Sequence, residues 1–134
     1  MYRVIKRIDF CYGHRLLNYE GKCRHLHGHN GRVEIELIGE RLDERGMVAD
    51  FGDIKRVMKQ WIDENLDHRM ILNRADPALE FIRASGEPHY VIDENPTAEA
   101  IARLIYVKAR ELGLPVRRVA LWETPDSRAQ FGED

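Results

Sequence analysis

The sequence predicts an α+β domain with an antiparallel sheet, its elements in the order strand, strand, helix, helix, strand, strand. Three observations predict it. Apolar residues recur with period two near both ends of the chain and with a helical period between them. The strands are therefore grouped rather than alternated with helices, which favours an antiparallel sheet over a parallel α/β one. At 134 residues the chain fits one domain, residues 1–134, and no internal repeat, low-complexity tract or linker divides it.

The first strand spans residues 2–14. Tyr2, Val4, Ile8, Phe10, Tyr12 and His14 share one face, with Arg3, Arg7 and Asp9 on the other; Ile5 and Lys6 interrupt the pattern. Residues 15–26 have no sustained period and contain Asn18 and Gly21, so they read as a loop. The second strand alternates more cleanly, with His27, His29, Gly31, Val33, Ile35 and Leu37 opposed to Arg32, Glu34 and Glu36. Past a polar turn, Phe51, Ile54, Val57, Met58, Trp61 and Ile62 form a helical stripe that ends near Leu66, with Asp50 or Asp53 as N-cap. Residues 69–95 carry the weakest pattern, with a short helix at 77–85 among Pro77, Gly86 and Pro88; so long a connection in a small domain is often functional. Asn95-Pro96-Thr97 starts a second long helix with the stripe Ile101, Leu104, Ile105, Lys108 and Leu112, and Gly113 and Pro115 stop it. Val119, Leu121 and Glu123 mark a third strand and residues 128–131 a fourth. Four strands and two helices leave a sheet edge or face uncovered, which predicts self-association.

Composition excludes several classes. With 43% apolar residues the chain can build a core and is not a disordered polyampholyte. Lys and Arg number 21 against 23 Asp and Glu, so no basic excess suits a dedicated nucleic-acid binder. No apolar run approaches the roughly 20 residues of a membrane span, and the charged first ten residues do not form a signal-peptide core. Two cysteines do not make a secreted disulfide scaffold. The expectation is a soluble cytoplasmic protein.

Four histidines have chemical promise. His27 and His29 leave the same face of their strand, and antiparallel pairing with the first strand adds His14 to that face. Three imidazoles with a fourth position open is the arrangement of a catalytic zinc site, whereas structural zinc is closed by four protein ligands. Gly28 between the two histidines suggests close approach of another group. Cys23 sits among Lys22, Arg24 and His25, where a positive neighbourhood favours the reactive thiolate; it suits a metal ligand, a base, a nucleophile or a buried apolar filler. Cys11, of opposite parity to His14, reads as filler. Asp67 beside His68 can set the tautomer and basicity of the imidazole. Glu123 occupies a core-facing position, where a carboxylate must be paired or bind something. His25 and His89 have no partner visible in the sequence and read as surface residues.

Phe10-x-x-x-His14-Arg15-Leu16, Cys23-x-x-x-His27-Gly28-His29, Val48-x-Asp50-Phe51, Leu66-Asp67-His68, Asn95-Pro96-Thr97-x-Glu99 and Glu123-Thr124 occur in this order. Together they resemble the 6-pyruvoyltetrahydropterin synthase / 6-carboxytetrahydropterin synthase family over nearly the whole chain. The resemblance implies the tunnelling fold, a four-stranded antiparallel sheet backed by two helices, assembled as a homohexameric dimer of trimers. It implies zinc on His14, His27 and His29, a catalytic Cys23, and an Asp67–His68 relay contributed by an adjoining subunit. Glu123 would anchor a pterin ring, with Thr97 and Glu99 nearby; a carboxylate suits that edge because it accepts two parallel hydrogen bonds. The implied reaction converts 7,8-dihydroneopterin triphosphate to 6-carboxytetrahydropterin, acetaldehyde and triphosphate, ahead of 7-deazapurine and queuosine synthesis. The alternatives are 6-pyruvoyltetrahydropterin synthesis, which omits the carbon–carbon cleavage, and a zinc-stabilised binding domain without turnover. Lys22, Arg15 and Arg24 are candidates for steering the triphosphate.

The chain departs from the family pattern in four places. Cys11, Tyr12 and Gly13 replace small residues before the first histidine, and Ala100 replaces an Asn after Glu99. The 74–93 stretch is long. Arg24 stands where a folate-precursor subgroup carries Glu, which argues against that subgroup.

Overall fold

A computed structural model describes residues 1–134. Its first two strands, β1 (Tyr2–His14) and β2 (His27–Gly39), pair antiparallel along their whole length, from Tyr2 opposite Gly39 to His14 opposite His27. Even-numbered residues of β1 face inward from Ile8 to His14, while Ile5 points outward and is 47% exposed. Period two thus survives the interruption at Ile5 and Lys6. The connecting loop contains one 3-10 turn, Lys22–Arg24.

Helix α1 (Phe51–Asn65) starts where the Asp50 carboxylate accepts the Gly52 N–H at 2.7 Å. It buries Ile54, Met58 and Ile62 and leaves Phe51, placed on the stripe by periodicity, exposed at its first turn. Beyond it come β3 (Arg69–Asn73), α2 (Ala78–Ala84) and β4 (His89–Ile92), followed by α3 (Ala98–Glu111), β5 (Val116–Thr124) and β6 (Ser127–Gly132). The Thr97 hydroxyl caps α3 by accepting the Ala100 N–H at 3.1 Å. The buried stripe of α3 runs through Ala98, Ile101, Ala102, Ile105 and Ala109, and Leu112 lies outside it.

The sheet has six strands in the order β4-β3-β1-β2-β5-β6, not four. It is mixed rather than antiparallel, because β3 runs parallel to both β1 and β4. The third helix, α2, is the short one expected at 77–85. The two added strands escape period two for a physical reason. Ile71 joins the main core with α1 and α3, whereas Leu72 packs on Leu79 and Ile82 of α2, so β3 is apolar on both faces. The main core lies between the sheet and α1 with α3. On the opposite face charged side chains pair with one another, Arg7 with Glu34 at 2.8 Å and Arg32 with Asp9 at 2.9 Å. No helix is long and apolar enough to cross a membrane.

Candidate metal and substrate site

The register of β1 and β2 gathers the three predicted histidines. Ring centroids lie 4.5 Å apart for His14 and His27, and 5.0 Å apart for each remaining pair. One nitrogen from each ring falls within 4.8 Å of the other two. Two of the rings are anchored from behind. His14 donates its Nδ1–H to the Pro96 carbonyl at 2.6 Å, and His27 donates its Nδ1–H to the His25 carbonyl at 2.7 Å. Because a carbonyl only accepts, both rings present the Nε2 lone pair to the common point, the usual orientation of metal-ligating histidines.

The donor set fits zinc. In a tetrahedral site two imidazole nitrogens stand roughly 3.3 Å apart; the Nε2 atoms of His14 and His29 are separated by 3.1 Å. His27 Nε2 is buried with no hydrogen-bond partner, a cost that a cation would relieve. Burial, with His27 and His29 adding to it, holds His14 below the ordinary imidazole range despite the Pro96 carbonyl and Glu123. That direction favours the neutral ring a metal ligand must be. Glycine at position 28 eases the strand pairing here, since a Cβ would sit 3.0 Å from the Tyr12 carbonyl, tighter than an ordinary contact.

Glu123 reaches the same point from β5. Its Oε1 is 3.9 Å from His14 Nε2 and its Oε2 is 3.9 Å from His29 Nε2. It stands outside the mutually close group of donors, which the three histidines complete by themselves. Beneath it the buried Tyr12 hydroxyl is pushed well above its ordinary value by desolvation and by the Glu123 charge. Thr97 and Glu99 begin α3 directly after Pro96; Thr97 is half-buried and occupied as the cap, and Glu99 is exposed.

Cys23 lies half-buried on the 3-10 turn, and its thiol belongs to neither cluster of close donors in the chain. Asp67 and His68 follow α1 and meet Cys11 instead. His68 Nδ1 is 2.9 Å from Asp67 Oδ2, and Asp67 Oδ1 accepts the Cys11 N–H at 2.9 Å. Burial raises the Asp67 carboxyl, but the Cys11 N–H and His68 outweigh it and hold the group ionised. The His68 side chain is 77% exposed. A single chain therefore does not bring Cys23, Asp67 and His68 into one cluster.

Two supports of the site were not legible in the sequence. Asn95 clasps Leu17, accepting its N–H at 2.9 Å and donating to its carbonyl at 2.8 Å, and so holds the first loop against the segment that carries Pro96. Arg15, a candidate for phosphate steering, is engaged in a two-pronged pair with the fully buried Asp76 carboxylate. Arg15 holds the Asp76 carboxyl below the usual carboxylate range, against the opposing effect of burial. A depressed native value contributes stability above the unfolded value, about pH 4, which is lost as pH falls through the native value. Asp76→Asn should therefore cost about 3 kcal/mol at neutral pH, the low end for a broken buried pair because Arg15 reaches solvent. In denaturant titrations the gap between variant and wild type should narrow below about pH 4; a gap independent of pH would remove the ion pair as its cause.

Comparison with known proteins gives a consistent picture. The sequence model of the family 6-pyruvoyl tetrahydropterin synthase matches residues 3–134. The 6-carboxy-5,6,7,8-tetrahydropterin synthase of Rickettsia felis is 43% identical over 104 residues, covering 76% of this chain and 75% of that protein. The protein of the same name from Rickettsia bellii is 39% identical over 133 residues, covering 94% and 96%. Among solved structures, an uncharacterised protein from Wolinella succinogenes superposes with TM-score 0.80 at 33% identity, covering 99% of this chain and 98% of that one. The 6-pyruvoyl tetrahydropterin synthase of Caenorhabditis elegans superposes with TM-score 0.74, covering 99% and 96%; at 24% identity this likeness concerns the fold.

Proposed function

The chain belongs to the 6-pyruvoyl tetrahydropterin synthase family, and from that premise we propose that it is a zinc-dependent 6-carboxy-5,6,7,8-tetrahydropterin synthase. With water, 7,8-dihydroneopterin triphosphate would yield 6-carboxytetrahydropterin, acetaldehyde and triphosphate, upstream of 7-deazapurine and queuosine synthesis. The observation that carries the reading is the convergence of His14, His27 and His29 on a point that Glu123 faces but does not join. The names of the Rickettsia relatives support the choice of product.

Zinc on the three histidines would supply Lewis acidity toward the hydroxyl and carbonyl oxygens of the substrate side chain. Glu123 accepts the ring N–H and amino protons of the pterin and so places the side chain beside the histidines; Thr97 and Glu99 border that end of the site. Cys23 moves a proton at the side-chain carbons, and His68, held by Asp67, is its partner acid and base. The exposure of His68 and its separation from the Cys23 thiol in one chain support a site completed by an adjoining copy. The charged outer face of β1 and β2 and the edge strands β4 and β6 offer surfaces for the proposed hexamer, a dimer of trimers. Lys22 and Arg24, exposed on the 3-10 turn, are left to attract the triphosphate once Arg15 is committed to Asp76.

Mass spectrometry of the products from 7,8-dihydroneopterin triphosphate tests the reading. Release of acetaldehyde with a 6-carboxy product is expected. Accumulation of a 6-pyruvoyl product would move the assignment to the elimination alone, and no turnover at all by zinc-loaded protein would leave a binding domain.

A further inference from the structure

Cys11 leaves β1 on the face opposite His14 and borders a hollow of about 710 Å³ with Asn30, Asp67 and His68. One donor atom from each of Cys11, Asp67 and His68 lies within 4.8 Å of the other two. The Cys11 thiol donates to Asn30 Oδ1 at 3.1 Å, which fixes the direction of its side chain. Main-chain bonds fix the group from two directions, since the His68 N–H donates to the Cys11 carbonyl at 2.7 Å and the Cys11 N–H to Asp67. His68 holds a left-handed backbone conformation, with φ 58°, that keeps its ring beside the thiol.

We infer that Cys11, Asp67 and His68 form a second divalent-metal site, separate from the three histidines and suited to a thiophilic ion such as zinc. Thiolate, imidazole and carboxylate are the donors zinc takes in proteins, and the sulfur disfavours magnesium and calcium. Binding displaces the Cys11 proton to solvent, and thiolate and carboxylate together balance the charge of the cation. Two of the three ligands are the pair that the proposed reaction uses for proton transfer. If that reading holds, an ion here withdraws His68 from the relay, and zinc beyond one equivalent per chain slows turnover.

Cobalt titration of the full chain tests the site, because only a thiolate ligand gives the intense sulfur-to-cobalt absorption in the near ultraviolet. Wild type and Cys23→Ser should each bind two equivalents and show the band. Cys11→Ser, which keeps a hydrogen-bonding group beside Asn30, should bind one equivalent and lose the band. A single equivalent in the wild type, two equivalents without the band, or a band that survives Cys11→Ser would overturn the inference. These outcomes are independent of the lyase reading, whose failure would appear as absent product while the band remained.

Discussion

His27→Ala should leave the protein folded and strip the metal from the three-histidine cluster, taking turnover to the limit of detection. His27 is half-buried at the start of β2, where truncation removes little core. Its imidazole Nε2 is buried without a protein partner, and Nδ1 is fixed on the His25 carbonyl. Loss of a group that merely orients a ligand weakens metal binding by about 10–100-fold; loss of one of only three ligands should exceed that. Elemental analysis of the purified variant, with circular dichroism as the control for folding, reads the effect. Full retention of metal would remove His27 from the ligand set.

Cys23→Ala should keep the metal and the assembly and lose about 10²–10⁴-fold in turnover, the range for a general acid or base. The variant distinguishes this from the other roles open to a cysteine there. A fourth ligand would have its sulfur among the clustered histidine nitrogens, and Cys23 is outside that group; metal loss in the variant would nonetheless assign it as one. A packing residue would show a lowered melting temperature with near-normal turnover. The thiol is only half-buried, so a small stability change is expected.

What could be read from the residues was what local periodicity encodes. Alternation along residues 2–14 and 27–37 placed β1 and β2 and, through strand parity, the three histidines on one face. Helix α1 and the start of α3 were equally plain, because caps and stripes are local. The lost information was non-local or two-sided. β3 and β4 are four or five residues long, and β3 is apolar on both faces, so neither shows a period; their parallel pairing gave a mixed sheet where an antiparallel one was expected. The contacts that hold the site in place span most of the chain: His14 to Pro96 across 82 positions, Leu17 to Asn95 across 78, Arg15 to Asp76 across 61. Arg15 read as a free cation only because its buried partner lay in the least periodic segment. Cys11 read as filler because its parity set it apart from His14, and that same parity delivers it to Asp67 and His68.

The proposed site takes Cys23 and the three histidines from one copy of the chain and Asp67–His68 from another. Subunit mixing tests this directly. Cys23→Ala and His68→Asn, the latter chosen because Asn tolerates the left-handed backbone at that position, should each be nearly inactive alone. After dissociation and joint reassembly, with mixed oligomers verified by native mass spectrometry, turnover should return to a measurable fraction of wild type, because some sites then combine an intact Cys23 with an intact His68. Verified mixed oligomers that stay as inactive as either parent would contradict the shared site.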